Sequence, residues 1–228
     1  MKRIVIQFIF VFLCLSLFNS CEERSGENNH LFVDLGLSVK WATCNVGANS
    51  FEEYGDYFAW GEVEAKEVYD WSTYKFYDSK NDVMSKYVIT NGSFRNDEII
   101  LNLEDDAAQI NWGGNWRMPT IEEMNELFNN CTWEWVIYHG KEGYMVTSNI
   151  KGYTDRSIFL PAAGYMKYGD LLADNSYGYY ASSSLNTEIP QSDYNDSRYS
   201  YLYIFCKTYI SSEAFTRCIG LSVRPVCP

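Results

Sequence analysis

The hydrophobic pattern of this chain begins before any folded domain does. From Ile4 to Phe18 nearly every position is apolar, with Gln7 and Ser16 as the polar interruptions, and Lys2 and Arg3 stand ahead of the run. A positive flank on an apolar stretch shorter than the ~20 residues of a spanning helix predicts an export signal. The pattern ends at Asn19-Ser20-Cys21 and turns polar at Glu22. Residues 22–30 hold no apolar period, so they read as a flexible polar tether of at most about 30 Å, at ~3.3–3.6 Å per residue.

From residue 31 onward the periods are those of packed elements. Residues 31–37 and 39–43 are β-rich runs around a glycine-containing break, and residues 54–61 read as a short aromatic strand. Residues 62–100 are charged, tyrosine-rich and irregular, and read as loop insertions. Residues 103–112 carry acids early and apolar residues late, which predicts a small helix halted by Gly113-Gly114. Thr120 and Glu123 make a capping box after Pro119, and Ile121, Met124, Leu127, Phe128 and Cys131 form one helical stripe.

Beyond that helix the period falls to two, and residues 144–147, 157–161, 199–206 and 221–226 predict strands. In the third of these, Tyr199, Tyr201, Tyr203 and Phe205 share one face while Leu202 and Ile204 share the other. Such a strand is covered on both sides. Strands, two helices, then strands again is an α+β order with short mixed or antiparallel sheets and long loops. The chain divides into a signal over 1–21, a tether over 22–30 and one domain over 31–228.

Composition narrows the function more than the fold. The formal net charge is −12, with 46% hydrophobic and 17% aromatic residues. An acidic surface repels phosphate backbones and anionic headgroups, which excludes nucleic acid as a partner and leaves a lipid as the only membrane contact. Five cysteines follow the signal: Cys44, Cys131, Cys206, Cys218 and Cys227. They read as small buried thiols with at most one disulfide, for which Cys218 with Cys227 or Cys206 is the first pair to test. Glu104-Asp105-Asp106 invites calcium, but consecutive acids on a helix diverge, and acids at a helix start favour the dipole. No cofactor is expected. Arg117 and Arg224 are expected to be buried or half-buried partners of carboxylates.

Ser20-Cys21 after the apolar run resembles a lipobox, in the relaxed form of Bacteroidetes lipoproteins. The resemblance implies a lipidated Cys21 and an outer-membrane or cell-surface location, and Glu22-Glu23 loosely resembles a surface-export signal. The segments VDLGLSVKWATCNVGA, EEYGDYFAWGE, WGGNWRMPTIEEMNEL, GYMVTS, SIFLPAAGY and GLSVRPV are similar to those of the Fibrobacter succinogenes major paralogous domain family. That resemblance implies a C-type-lectin-like fold, shared with formylglycine-generating enzymes and diversified variable proteins. The calcium-dependent sugar site of lectins does not carry over. The chain offers only Glu188-Ile189-Pro190-Gln191 and no Trp-Asn-Asp strand.

The stretch from Tyr165 to Ser200 is the functional candidate. Tyrosine mixed with Ser, Gly and Asn supplies rigid rings and adaptable hydrogen bonds. Within it, Tyr168, Asp170, Asp174, Tyr177, Tyr179, Tyr180, Asn186, Asp193 and Tyr194 are the expected ligand contacts, with Ser182-Ser183-Ser184 among them. A serine triad needs a histidine, and His139 is the available one. The reading is a non-catalytic binding module for a glycan or a surface or host protein. An envelope enzyme related to formylglycine-generating enzymes and a structural or pilus-associated subunit are the alternatives.

Overall fold

The computed structural model describes residues 23–24, 30–90, 93–94, 99–187 and 198–228. Its helices start where local hydrogen bonding predicts. Asp106 Oδ1 accepts from the Gln109 N–H (3.0 Å) to open α1 (Ala107–Trp112), which stops at Gly113 in the left-handed region (φ 69°). Thr120 Oγ1 accepts from the Glu123 N–H (3.3 Å) and Glu123 Oε2 from the Thr120 N–H (2.9 Å), closing the box that opens α2 (Ile121–Asn130). Ile121, Met124 and Leu127 are buried, while Phe128 keeps 40% of its surface exposed. Cys131 is not on the helix. It is extended, and it opens a strand in which Cys131 is buried and exposed Thr132 and Glu134 alternate with half-buried Trp133 and Trp135.

The strands run β1 (Glu23–Arg24), β2 (Leu31–Val33), β3 (Lys40–Ala42), β4 (Tyr57–Phe58), β5 (Tyr77–Asp78) and β6 (Val83–Met84). Then come β7 (Ile89–Thr90), β8 (Ser93–Phe94), β9 (Cys131–Tyr138), β10 (Lys141–Ser148), β11 (Ser157–Pro161), β12 (Tyr165–Lys167) and β13 (Asp170–Leu172). The last five are β14 (Tyr177–Leu185), β15 (Tyr199–Cys206), β16 (Tyr209–Thr216), β17 (Leu221–Ser222) and β18 (Val226–Cys227). Together with the two helices they make the α+β class that the element order predicts. Among the described residues, no helix is long and apolar enough to cross a membrane.

The sheets are assembled from distant parts of the chain. One has the order β1-β2-β3-β18, so the C-terminal strand pairs with residues 40–41. In the same sheet Glu23 pairs with Phe32 and Arg24 with Leu31. A second sheet is the meander β11-β10-β9. The largest has the order β16-β15-β14-β17-β4, and its central strand β14 lies inside the stretch read as binding loops.

That central sheet divides the interior. On one side Tyr179, Ala181, Leu202, Leu221 and Val223 pack with Trp60, Trp112 and Trp116. On the other, Tyr180, Tyr203 and Phe205 pack with the α2 stripe, Val146, Ile158 and Leu160. The period-two alternation of β15 is therefore buried on both faces, as expected. Each large ring removed from water contributes on the order of 2–3 kcal/mol, so the sheet is held from both sides.

Buried cations are the unusual feature of these cores. Arg117 pairs with Glu123 (2.5 Å), as expected of a partner of a carboxylate. Arg224 does not. Its guanidinium is fully buried and donates to Asn45 Oδ1 (2.9 Å) and to the carbonyls of Ala42 (3.0 Å), Thr43 (2.8 Å) and Phe159 (2.9 Å). Four neutral acceptors satisfy its fork where one carboxylate was expected. Arg217 is equally buried, donates to Tyr74 Oη (2.9 Å) and lies over the Trp60 ring (4.5 Å). The five thiols are free, so Cys218 is bonded to neither Cys227 nor Cys206; Cys44 is half-buried and the other four are buried.

Candidate functional site

The hairpin of β12 and β13 lies beside the end of β14. Lys167 pairs with Asp170 across a two-residue turn in which both Tyr168 (φ 53°) and Gly169 (φ 93°) are left-handed. Such a turn ordinarily takes Asn-Gly, because a bulky first residue clashes with its own backbone. Tyr168 holds that position with 67% of its surface exposed, and Lys167 Nζ lies 5.1 Å from its ring centre.

Behind the turn, Tyr165 packs its ring on Tyr179 (4.8 Å) and on Phe215 (5.8 Å). Tyr177 continues the row to Tyr179 (6.2 Å) and to Tyr209 (6.4 Å). The register explains the grouping. Tyr177 faces Cys206 and Cys206 faces Tyr209, while Tyr179 faces Ile204 and Ile204 faces Ser211. Directly opposed residues share a face, so β14 and β16 present Tyr177, Tyr179, Tyr209, Ser211, Glu213 and Phe215 on one side, with Cys206 and Ile204 of β15 between them. Tyr209 is 43% exposed, Tyr165, Tyr177 and Phe215 are half-buried, and Tyr179 forms the floor. The result is a tyrosine platform across three sheet strands, edged by the β12–β13 hairpin.

Its electrostatics are mild. Burial, then neighbouring tyrosines, push the Tyr179 hydroxyl up to about 12, so it stays a neutral donor. Burial raises the Cys206 thiol, but hydrogen bonds from the Thr208 side chain and from backbone N–H groups outweigh it and hold the thiol below its ordinary value. Ser211 Oγ donates to Glu213 (2.8 Å) at the rim. Ring faces, hydroxyls and one carboxylate can stack on and hydrogen-bond to a ligand.

The sequence-predicted contacts are scattered by this geometry. Tyr168 and Asp170 are exposed on the hairpin, and Tyr177 and Tyr179 belong to the platform. Asp174 is half-buried near Tyr54, whose hydroxyl donates to Asn175 Oδ1 (2.8 Å). Tyr180 is a core residue, 2% exposed, donating to the Pro161 carbonyl (2.9 Å) and stacked on Phe205. Asn186 is 4% exposed, with its N–H on the Tyr199 carbonyl. Both are buried: Tyr180 because the interior strand turns that side inward, and Asn186 just past the end of β14. Asp193, Tyr194, the Glu188–Gln191 segment and Cys21 lie outside the described residues.

Three other expectations are also resolved in space. Ser182, Ser183 and Ser184 are buried, and Ser184 Oγ accepts from the Ile121 N–H (3.0 Å) at the start of α2. His139 sits far along the chain in the β9–β10 turn, 3.4 Å from Glu52. Asp105 is consumed by Lys75 (2.8 Å), Lys86 (2.5 Å) and Tyr87 Oη (2.8 Å), and Asp106 by the α1 N-terminus and the Met118 N–H. Among the described residues, no group of three or more His, Cys, Asp or Glu side chains is placed to hold a metal ion. Sequence reading passed over Tyr209, Glu213 and Phe215. YISSEAFT has no regular alternation; its signal was its place two residues after the strand-forming run of 199–206.

No family model, curated protein or solved structure matches this chain. The functional reading therefore rests on the residues themselves.

Proposed function

We propose that this chain is a non-catalytic binding module, held at a bacterial outer membrane or cell surface by a lipid on Cys21. The tyrosine platform and the Tyr168 hairpin meet a glycan or a surface protein. One observation carries the reading. Five aromatic rings from three strands, β12, β14 and β16, gather at the rim of the first core, where Tyr165, Tyr177 and Phe215 are only half-buried and Tyr209 keeps 43% of its surface exposed. Ring faces with hydroxyls at their edges suit both pyranose faces and apolar protein anchors, and Tyr168 holds a disfavoured backbone conformation in the turn that presents its ring. The segments that resemble the major paralogous domain family suit a C-type-lectin-like scaffold, which is part of the same proposal.

Two experiments test it. A glycan array and a panel of surface proteins are probed with the chain and with its Tyr177→Ala/Tyr209→Ala variant. A bound ligand whose affinity falls at least tenfold in the variant, with the melting temperature kept, supports the platform. Equal binding by both removes it. Palmitate labelling lost in Cys21→Ala supports the anchor, and unchanged membrane fractionation of that variant removes it.

A further inference from the structure

The platform ends at β16, an edge strand with eight consecutive pairs to β15 and no bulge. Its other side pairs with no described strand. Long edges of natural sheets are ordinarily blunted by lysine, proline, bulges or shortness, because free N–H and C=O groups template another strand. Here Tyr209-Ile210-Ser211-Ser212-Glu213-Ala214-Phe215-Thr216 contains no lysine or proline, and Glu213 is its single charge. Tyr209 closes the two-residue turn with Cys206, so the backbone groups of Ile210, Ser212, Ala214 and Thr216 point outward in the antiparallel pattern.

We infer that β16 docks an extended polypeptide segment by strand addition, so that the ligand of the platform is a peptide. This rests on the reading of the platform as a binding surface. Three features select that occupant. The outward backbone donors and acceptors of β16, which pair with no described strand and of which the Ser212 carbonyl takes only a 3.3 Å bond from the Ser211 hydroxyl, match an extended strand, which neither a helix nor a sugar reproduces. A strand laid there sets alternate side chains beside Tyr209 and Phe215 on one face and beside Ile210 on the other. The charge of −12 on the chain, with Glu213 on the edge itself, favours a neutral or basic segment over an acidic one and over a second copy of this chain.

A displayed library of random nine-residue peptides is selected on the purified chain. Enriched peptides are then measured against the parent, Ser212→Pro, Tyr177→Ala/Tyr209→Ala, and Ile137→Pro on the other long edge, β9. Proline at an outward-facing edge position leaves the β15 ladder intact while removing the donor. Circular dichroism and melting temperature verify each variant, and Ser212→Lys/Ala214→Lys replaces Ser212→Pro if the latter does not fold.

The expected result is enrichment of alternating, neutral-to-basic peptides that bind at least tenfold more weakly to Ser212→Pro and to the tyrosine variant, and equally to Ile137→Pro. Peptides indifferent to Ser212→Pro but weakened by the tyrosine variant overturn strand addition and leave the platform standing. Peptides weakened by Ser212→Pro and indifferent to the tyrosine variant overturn the platform reading and the coupling claimed here. No enrichment over bare support, or a dimer in sedimentation that Ser212→Pro dissolves, overturns the peptide assignment.

Discussion

Tyr179 and Tyr180 are neighbours in β14 and face opposite interiors. Tyr179 meets Tyr165 at 4.8 Å under the platform, while Tyr180 stacks on Phe205 at 5.5 Å with an angle of 19° between the rings. Gly178, just before them, lies so close to the Phe205 ring that a Cβ there would stand 2.1 Å from it. One residue of register thus separates the ring beneath the platform from a ring of the second core.

Replacing the core ring by Tyr180→Phe keeps the stack and removes its hydroxyl. The Pro161 carbonyl and the Asn45 amide lose that partner in a buried site. The expected cost is about 1–3 kcal/mol in denaturant unfolding, with ligand binding unchanged. A loss of binding with full stability would place Tyr180 at the surface.

Arg224 makes a sharper demand. Arg224→Met leaves three carbonyls and Asn45 without a donor, and the expected loss is at least about 3 kcal/mol or failure to accumulate folded protein. Arg224→Lys does not rescue it, because an ammonium cannot span four acceptors set around a planar fork. Equal unfolding midpoints for the lysine variant and the parent would contradict this account.

Tyr168→Asn has the opposite sign for stability. Asparagine tolerates the left-handed conformation that tyrosine resists, so the hairpin gains about 0.5–1 kcal/mol. Binding falls in the same variant if the exposed ring is a contact. Thermal unfolding beside a binding titration separates the two effects.

Asp105 sets an acid limit. Burial opposes its ionisation, but hydrogen bonds from Lys75, Lys86 and Tyr87 prevail and hold the carboxyl below its ordinary range. Above about pH 4 the carboxyl is ionised in both states and its stabilisation is complete. As pH falls below that, the unfolded chain takes up the proton first and stability drops until the folded pKa is passed. Unfolding curves from pH 6 to 2 should show this fall flattened in Asp105→Asn.

Cys206 is expected to be the first thiol alkylated in the folded chain. Its thiol is held low by Thr208 and backbone donors, whereas burial pushes Cys131 and Cys218 up to about 11. Iodoacetamide mass mapping gives the order directly, and Cys206→Ser should remove the fast phase.

Much of the scaffold was legible because its signals are local. Thr120 and Glu123 are three residues apart, and their reciprocal hydrogen bonds need nothing beyond one turn of chain. The alternation of Tyr201, Tyr203 and Phe205 against Leu202 and Ile204 likewise declared a strand with two covered faces. The strand from Cys131 was missed because its cysteine extended the α2 stripe by one more position, and only the extended backbone at Cys131 separates helix from strand.

The site was much less legible. Tyr177, Tyr179 and Tyr180 looked alike in a segment rich in Tyr, Ser and Asn, because composition does not say that the segment is the middle of a sheet. The Ser182-Ser183-Ser184 run looked like loop chemistry and is instead the irregular part of β14, tied to Pro119 and Ile121. Arg224 looked like half of an ion pair, because its four acceptors come from residues 42–45 and from 159, far along the chain.

By itself the sequence determined the α+β order, the capped helix, the two-faced strand and the acidic, aromatic character of the domain, since periodicity and capping act over a few residues. Tertiary structure alone decided which tyrosines share a face and that Tyr209 and Phe215 join them. Strand order and register set those neighbours, and both depend on contacts between segments that no local pattern links.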